Sequence, residues 1–197
     1  MEWVIVAVAV AVVLGVYLSW TAGRLDRLHA RVDAARGVLD AQLHRRSGAA
    51  LDVASGGLLD PASAMLVADA ATRARTADPE RAQDPATGLS GFREQPGTGL
   101  GSEREQAESD LTQALVETLD DPAYLAELRS EGGGDALDDL AAACRQAGHA
   151  RRFHNDTVRA ARRLRRKQVV RLLRLAGRAP WPETVEFDDA MPKGLGG

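Results

Sequence analysis

The stretch "WVIVAVAVAVVLGVYLSWTAGRLDRLHARVDAARGVLDAQLHRRSGAALDVASGG", Trp3 to Gly57, decides the fold, because one apolar rhythm passes into another with no proline between them. Its first part, Trp3 to Trp20, is eighteen residues without a charge, close to the roughly twenty that cross the hydrocarbon core of a bilayer. Trp3, Tyr17 and Trp20 stand at its ends, where amphipathic rings favour the headgroup level. Beyond it, Leu25, Leu28, Val32, Ala35, Leu39 and Gln42 step by three and four, the rhythm of a helix that packs on other helices. Gly23, Gly37 and Gly48 are isolated, and no proline precedes Pro61. The spacing therefore predicts one rod that ends near Ser55-Gly56-Gly57, on the order of 75 to 80 Å long.

The flanks of the apolar stretch give it a direction. A secretory signal opens with Lys or Arg and ends in small residues, whereas this stretch opens with Met1-Glu2 and "SWTAGR" is a poor cleavage site, so an uncleaved anchor is expected. No Lys or Arg precedes it, while Arg24, Arg27 and Arg31 follow it. That asymmetry predicts a single-pass protein of the cell membrane with its N-terminus out and its remaining domain in the cytoplasm.

Composition agrees with helices. Hydrophobic residues make up 45% of the 197, but aromatics only 4%, so the core has to be built from Leu, Val and Ala. Such residues suit helix-on-helix contact better than a sheet, which draws on β-branched and aromatic side chains. Only Lys167 and Lys193 among 25 basic residues are lysines, a bias that fits a GC-rich bacterial genome. The lone Cys144 has no disulfide partner within the chain and no zinc-ligand companions, and reads as a small helix-face residue.

An all-α chain follows, in which a single N-terminal transmembrane helix continues into an elongated antiparallel helical bundle. Residues 1–22 form the anchor and 23–79 the stalk and a second helix, capped by Asp60 with Pro61 at the first helical position. Residues 80–102, rich in Gly and Pro, read as a flexible insert. Residues 103–178 complete the bundle: Ser102 and Glu105 have capping-box spacing, a short helix opens at Asp121-Pro122, "SEGGGD" is a turn, and a long helix runs from about Ala136 to Ala176. Residues 179–197 are a tail after Gly177.

The closing helix carries the main charge feature. Ala150 to Gly177 holds ten of the 25 basic residues and one of the 28 acids, which leaves 15 basic against 27 acidic in the rest of the chain. Phe153, Val158, Ala161, Leu164, Val169, Leu172, Leu173 and Ala176 form an apolar stripe at helical spacing. Arg159, Arg162, Arg163, Arg166, Arg171 and Arg174 fall off it. They solvate the outer face, neutralise the acidic remainder, or touch a partner: anionic lipid headgroups are the better functional reading for a domain held at a membrane. An unknown protein partner is the other. Nucleic acid is not expected, because no helix-turn-helix pattern, zinc ligands or stacking aromatics accompany the charge. Asn155, beside the stripe, is a candidate buried amide that sets register between helices, or else a solvated polar residue.

Two segments carry a resemblance. "LHARVDAARGVLDAQLHRRSGAALDVA", Leu28 to Ala54, resembles the first soluble helix of the LemA family with its "V…A…LDVQLKRR" run, and "ARRFHNDTVRAARRLRRKQVVRLLRLAGRAPWPETVEFDD", Ala150 to Asp189, resembles that family's closing helix and acidic-aromatic tail. Together they cover about a third of the chain and follow the apolar stretch in the family's order. His154 stands where the family has a tyrosine, and Ala161-Arg162 replaces its second Tyr-Asn pair, so the likeness is to a divergent member. The resemblance implies an N-terminally anchored, elongated helical bundle with no catalytic site or cofactor.

Motifs of catalysis are absent from the sequence. His29, His44, His149 and His154 form no i, i+4 pair. "GTGLGS" lacks the lysine and preceding strand of a phosphate loop. Ser47 and Ser63 sit in no nucleophile elbow. The pairs Asp120-Asp121, Asp138-Asp139 and Asp188-Asp189 lie near helix starts or the tail, where aspartate favours the helix dipole. A structural or protein-interaction role, without enzyme activity, metal or cofactor, is expected.

Overall fold

Helix breakers are the first thing the folded chain obeys. In a computed structural model that describes residues 1–77, 99–166 and 181–196, α1 runs unbroken from Glu2 to Ser55, about 80 Å at helical rise. It stops where Gly56 donates its N–H to the Asp52 carbonyl and Gly57 turns left-handed at φ 72°, a conformation that glycine reaches without steric cost. α2, Pro61–Thr76, starts as expected: the Asp60 carboxylate accepts from the N–H groups of Ala62 and Ser63 at 3.0 and 3.2 Å. Asp121 does the same for α4, Pro122–Leu128, through the Ala123 N–H at 2.9 Å. Among the described residues there is no strand.

α3, Ser102–Leu119, departs from expectation at its start. No side chain caps it; its N-cap is Gly101 at φ 84°, and Ser102 is already helical. The preceding Leu100 is buried, so the chain has to turn out of the core at Gly101. Of the expected insert, residues 99–102 are therefore part of the packed structure, and 80–98 lie outside the described residues.

α5, Gly134–Arg165, follows a wide turn at Arg129–Gly133, where Gly132 adopts φ 99°. The expected continuation to Ala176 lies outside the described residues. A β-carbon on Gly133 would stand 2.7 Å from Leu58 Cδ1 and 2.9 Å from the Leu128 carbonyl oxygen, and that carbonyl belongs to a helix that cannot shift cheaply. Gly133→Ala is expected to cost about 1–3 kcal/mol, read as a lower midpoint in denaturant titration of the full chain in detergent.

α5 packs antiparallel along α1. Leu164 meets Leu25 with Leu28 beside them, Val158 and Ala161 meet Val32, Ala147 and Ala150 meet Leu39 and Leu43, and Leu137 and Leu140 join Ala50 and Val53. The two helices thus zip together over most of the stalk. α2 packs its small face, Val67, Ala70, Ala71 and Ala74, into the same core as Leu111 and Leu115 of α3. Small side chains bring helices close and increase their dispersion contact.

Two sequence expectations are corrected by packing. Phe153 is not on the buried stripe of α5 but 54% exposed, because the face of α5 turned to α1 passes through His154, Thr157, Val158 and Ala161. Residues 181–196 are no loose tail. Val185 and Phe187 are buried among Leu39, Leu43, Leu100 and Ala150, and Leu195 sits in the main core beside Leu119 and Leu125. Lys193 pins the end through its backbone N–H and Nζ, both 2.8 Å from the Asp120 carboxylate.

Candidate functional site

Two places collect charge, and they differ in access. The first is the end of the molecule next to the apolar part of α1. Because α5 runs antiparallel to α1, its last turn lies beside the first turns of the stalk, with Leu164 on Leu25. Arg24, Arg27 and Arg31 of α1 and Arg163 and Arg166 of α5 are exposed there. Arg24 lies over the Trp20 ring, 5.7 Å from its centroid, and Arg165 lies over Trp181 at 5.0 Å. Burial first, then the Arg165 guanidinium, lower the pKa of His29, so its imidazole favours the neutral form and adds little to the charge.

The arginines predicted from α5 separate into three groups. Arg159 is engaged on its own helix by Asp156 at 3.0 Å. Arg162, half-buried, donates from Nε to the Pro182 carbonyl at 2.6 Å and holds the returning chain. Arg163 and Arg166 face solvent, and Arg171 and Arg174 lie outside the described residues.

The second place is buried between α1, α3 and the C-terminal segment, and sequence reasoning missed it. Arg46, Arg104 and Glu108 are 2%, 3% and 1% exposed. Arg46 donates from Nη2 to the Glu108 carbonyl at 3.0 Å and to the Thr112 hydroxyl at 2.6 Å. Arg104 reaches Asp40 at 3.4 Å and the His44 ring nitrogen Nδ1 at 3.3 Å. Neither Glu108 carboxylate oxygen has a hydrogen-bond partner. Burial pushes the Glu108 pKa up to about 7, against the pull of Arg46 and Arg104 and with a push from Asp40. A signal was present: Arg46 takes its turn in the series Leu39, Leu43, Arg46, Ala50, Val53, and Glu108 in Arg104, Glu108, Leu111, Leu115, positions that otherwise hold apolar residues.

The C-terminal segment closes over this cluster. Phe187 lies between two guanidinium groups, Arg46 at 6.0 Å and Arg151 at 5.4 Å from its centroid. Arg151 also pairs with Asp189 at 2.8 Å, Thr112 donates to the Asp188 carbonyl at 2.5 Å, and the Asp188 N–H donates to Ser109. Asn155 is buried, and its amide donates to the Val185 carbonyl at 2.9 Å and accepts the Val185 N–H at 2.8 Å. Its partners are thus in the returning segment and not in another helix, because a backbone without helix or sheet bonds needs an outside donor and acceptor. His154 beside it is fully buried and within 3.3 Å of the Glu183 carbonyl, and burial lowers its pKa.

Among the described residues no group of three or more His, Cys, Asp or Glu is placed to hold a metal ion. Cys144 is partly buried, and burial pushes its thiol pKa up, which lowers its thiolate reactivity. No family model, curated protein or solved structure matches the chain.

Proposed function

We propose that the chain is a single-pass membrane protein of the LemA type, whose helical bundle faces the cytoplasm and serves a structural or protein-interaction role without catalysis. The observation that carries this reading is the change of character along one helix. α1 contains an 18-residue apolar window of which 6% is buried, and beyond Trp20 the same helix turns its apolar side into a core at Leu25, Val32 and Leu39. A core helix of a soluble protein would have been covered. Ten Val, Ile and Leu side chains between Val4 and Leu18 favour insertion by about 0.3–0.6 kcal/mol each, roughly 3–6 kcal/mol together. Arg24, Arg27 and Arg31 on one side alone favour the cytoplasmic orientation. The non-catalytic reading rests on access: Arg46, Arg104 and Glu108 are reactive groups in kind, but at 1–3% exposure no substrate reaches them.

Topology is testable with a single cysteine. Ser130, exposed on the turn after α4, is a better reporter than Cys144. Ser130→Cys in a Cys144→Ala background is expected to react in intact cells with a membrane-permeant maleimide, and with an impermeant one only after lysis. Labelling of intact cells by the impermeant reagent would reverse the orientation, and release of the chain from membranes by alkaline carbonate would remove the anchor.

A further inference from the structure

The five exposed arginines at the membrane end come from two places far apart in the sequence. Arg24, Arg27 and Arg31 directly follow the apolar stretch, and their position is what orientation during insertion asks for. That explanation does not reach Arg163 and Arg166, because charges more than about 15–20 residues from a span have little say in its orientation. Tertiary packing is what carries them there. With Leu164 seated on Leu25, Arg163 and Arg166 stand within about two residues of that level, roughly 3 Å along the axis.

Depth decides what this group meets. Along α1, Arg24 lies about 6 Å beyond Trp20, Arg27 about 10 Å and Arg31 about 16 Å. A headgroup layer is about 5–8 Å thick on each side, and charge is felt for about a further 8 Å at physiological salt. All five arginines fall in that zone when Trp20, itself 58% exposed, sits at the headgroup level. They are also not engaged internally: among the described residues none of the five makes an ion pair, whereas Arg159 is paired and Arg162 holds backbone. Asp26 is the single acid between Arg24 and Arg31, and none lies between Arg159 and Arg166.

We infer that Arg24, Arg27 and Arg31 of α1 and Arg163 and Arg166 of α5 form one composite site for the phosphate headgroups of anionic phospholipid in the leaflet that the domain faces. This rests on the anchor reading above. The site is assembled by folding, so it reports to the lipid whether the end of α5 is docked on the stalk. It is narrower than the arginine-rich helix as a whole, because Arg159 and Arg162 are committed elsewhere.

The test uses the full chain in a Trp3→Phe background, reconstituted in phosphatidylcholine bilayers with and without phosphatidylglycerol. Quenching of tryptophan fluorescence by brominated phospholipid then reads the preference of the Trp20 end for one lipid over the other. A preference for phosphatidylglycerol that weakens with salt is expected, and Arg163→Gln with Arg166→Gln is expected to lower it roughly five- to thirty-fold with unchanged circular dichroism. Equal quenching by both lipids overturns the site. So does a preference that survives Arg163→Gln/Arg166→Gln and disappears in Arg24→Gln/Arg27→Gln, which would leave only the flank of the span. Retention of a DNA duplex undiminished by added phosphatidylglycerol would overturn it in favour of nucleic acid. Carbonate extraction of the same vesicles separates the two readings: a chain that washes off ends both, and a chain that stays without lipid preference ends this one alone.

Discussion

Arg46→Ala is expected to destabilise the full chain by about 3–5 kcal/mol near pH 8, the cost of leaving a buried charge without its partner. The guanidinium lost is 2% exposed, bonded to the Glu108 carbonyl and the Thr112 hydroxyl, and stacked toward Phe187. Its removal leaves a void beneath the C-terminal segment and takes away the nearest attraction on the Glu108 carboxylate, leaving Arg104. Arg46→Met separates the causes, because it restores most of the apolar stem while removing charge and donors. Denaturant midpoints should fall for both variants, with methionine recovering only the packing part. A methionine variant as stable as the parent would mean that the cluster is held by packing alone. Relief on lowering the pH is also expected, since Glu108 can then take up a proton.

Glu108→Gln is expected to move stability the other way, by up to about 3 kcal/mol at about pH 8. The folded carboxyl titrates at about 7 against an ordinary value of 4.5. Above about pH 7 it is ionised in both the folded and the unfolded chain, and the full cost of burying the charge is felt. As pH falls through 7 the folded chain binds a proton that the unfolded chain does not hold until about 4.5, so the parent gains stability across that window and levels off below it. Glutamine, a neutral near-isostere, should flatten this dependence: more stable than the parent near pH 8, about equal to it near pH 4. The measurement is thermal melting of both chains across that range. Parallel profiles would show that another group carries the titration.

Local chemistry was legible where few residues decide it. Asp60-Pro61 and Asp121-Pro122 start helices because a carboxylate and a fixed φ act within three residues. Gly56-Gly57 ends α1 for an equally local reason. The capping-box spacing at Ser102 misled, because burial of Leu100, a long-range effect, set the chain's path through Gly101. The C-terminal segment was read as a tail since it has no helical period. Its own signal was there: Val185 and Phe187 alternate with exposed Glu186 and Asp188, the pattern of an extended chain with one covered side.

By itself the sequence determined that the chain is helical, that α1 runs unbroken out of an apolar stretch, and where the other helices begin, because propensity, caps and period act over one or two turns. Tertiary structure alone decided which charges are buried and which are shared. Arg46 and Glu108 become a buried pair only when α1 meets α3, Asn155 finds its partners thirty residues on at Val185, and Arg163 comes beside Arg24 only through the pairing of α5 with α1. Desolvation and Coulomb energy depend on distance in space, and a linear chain does not carry that distance in its spacing.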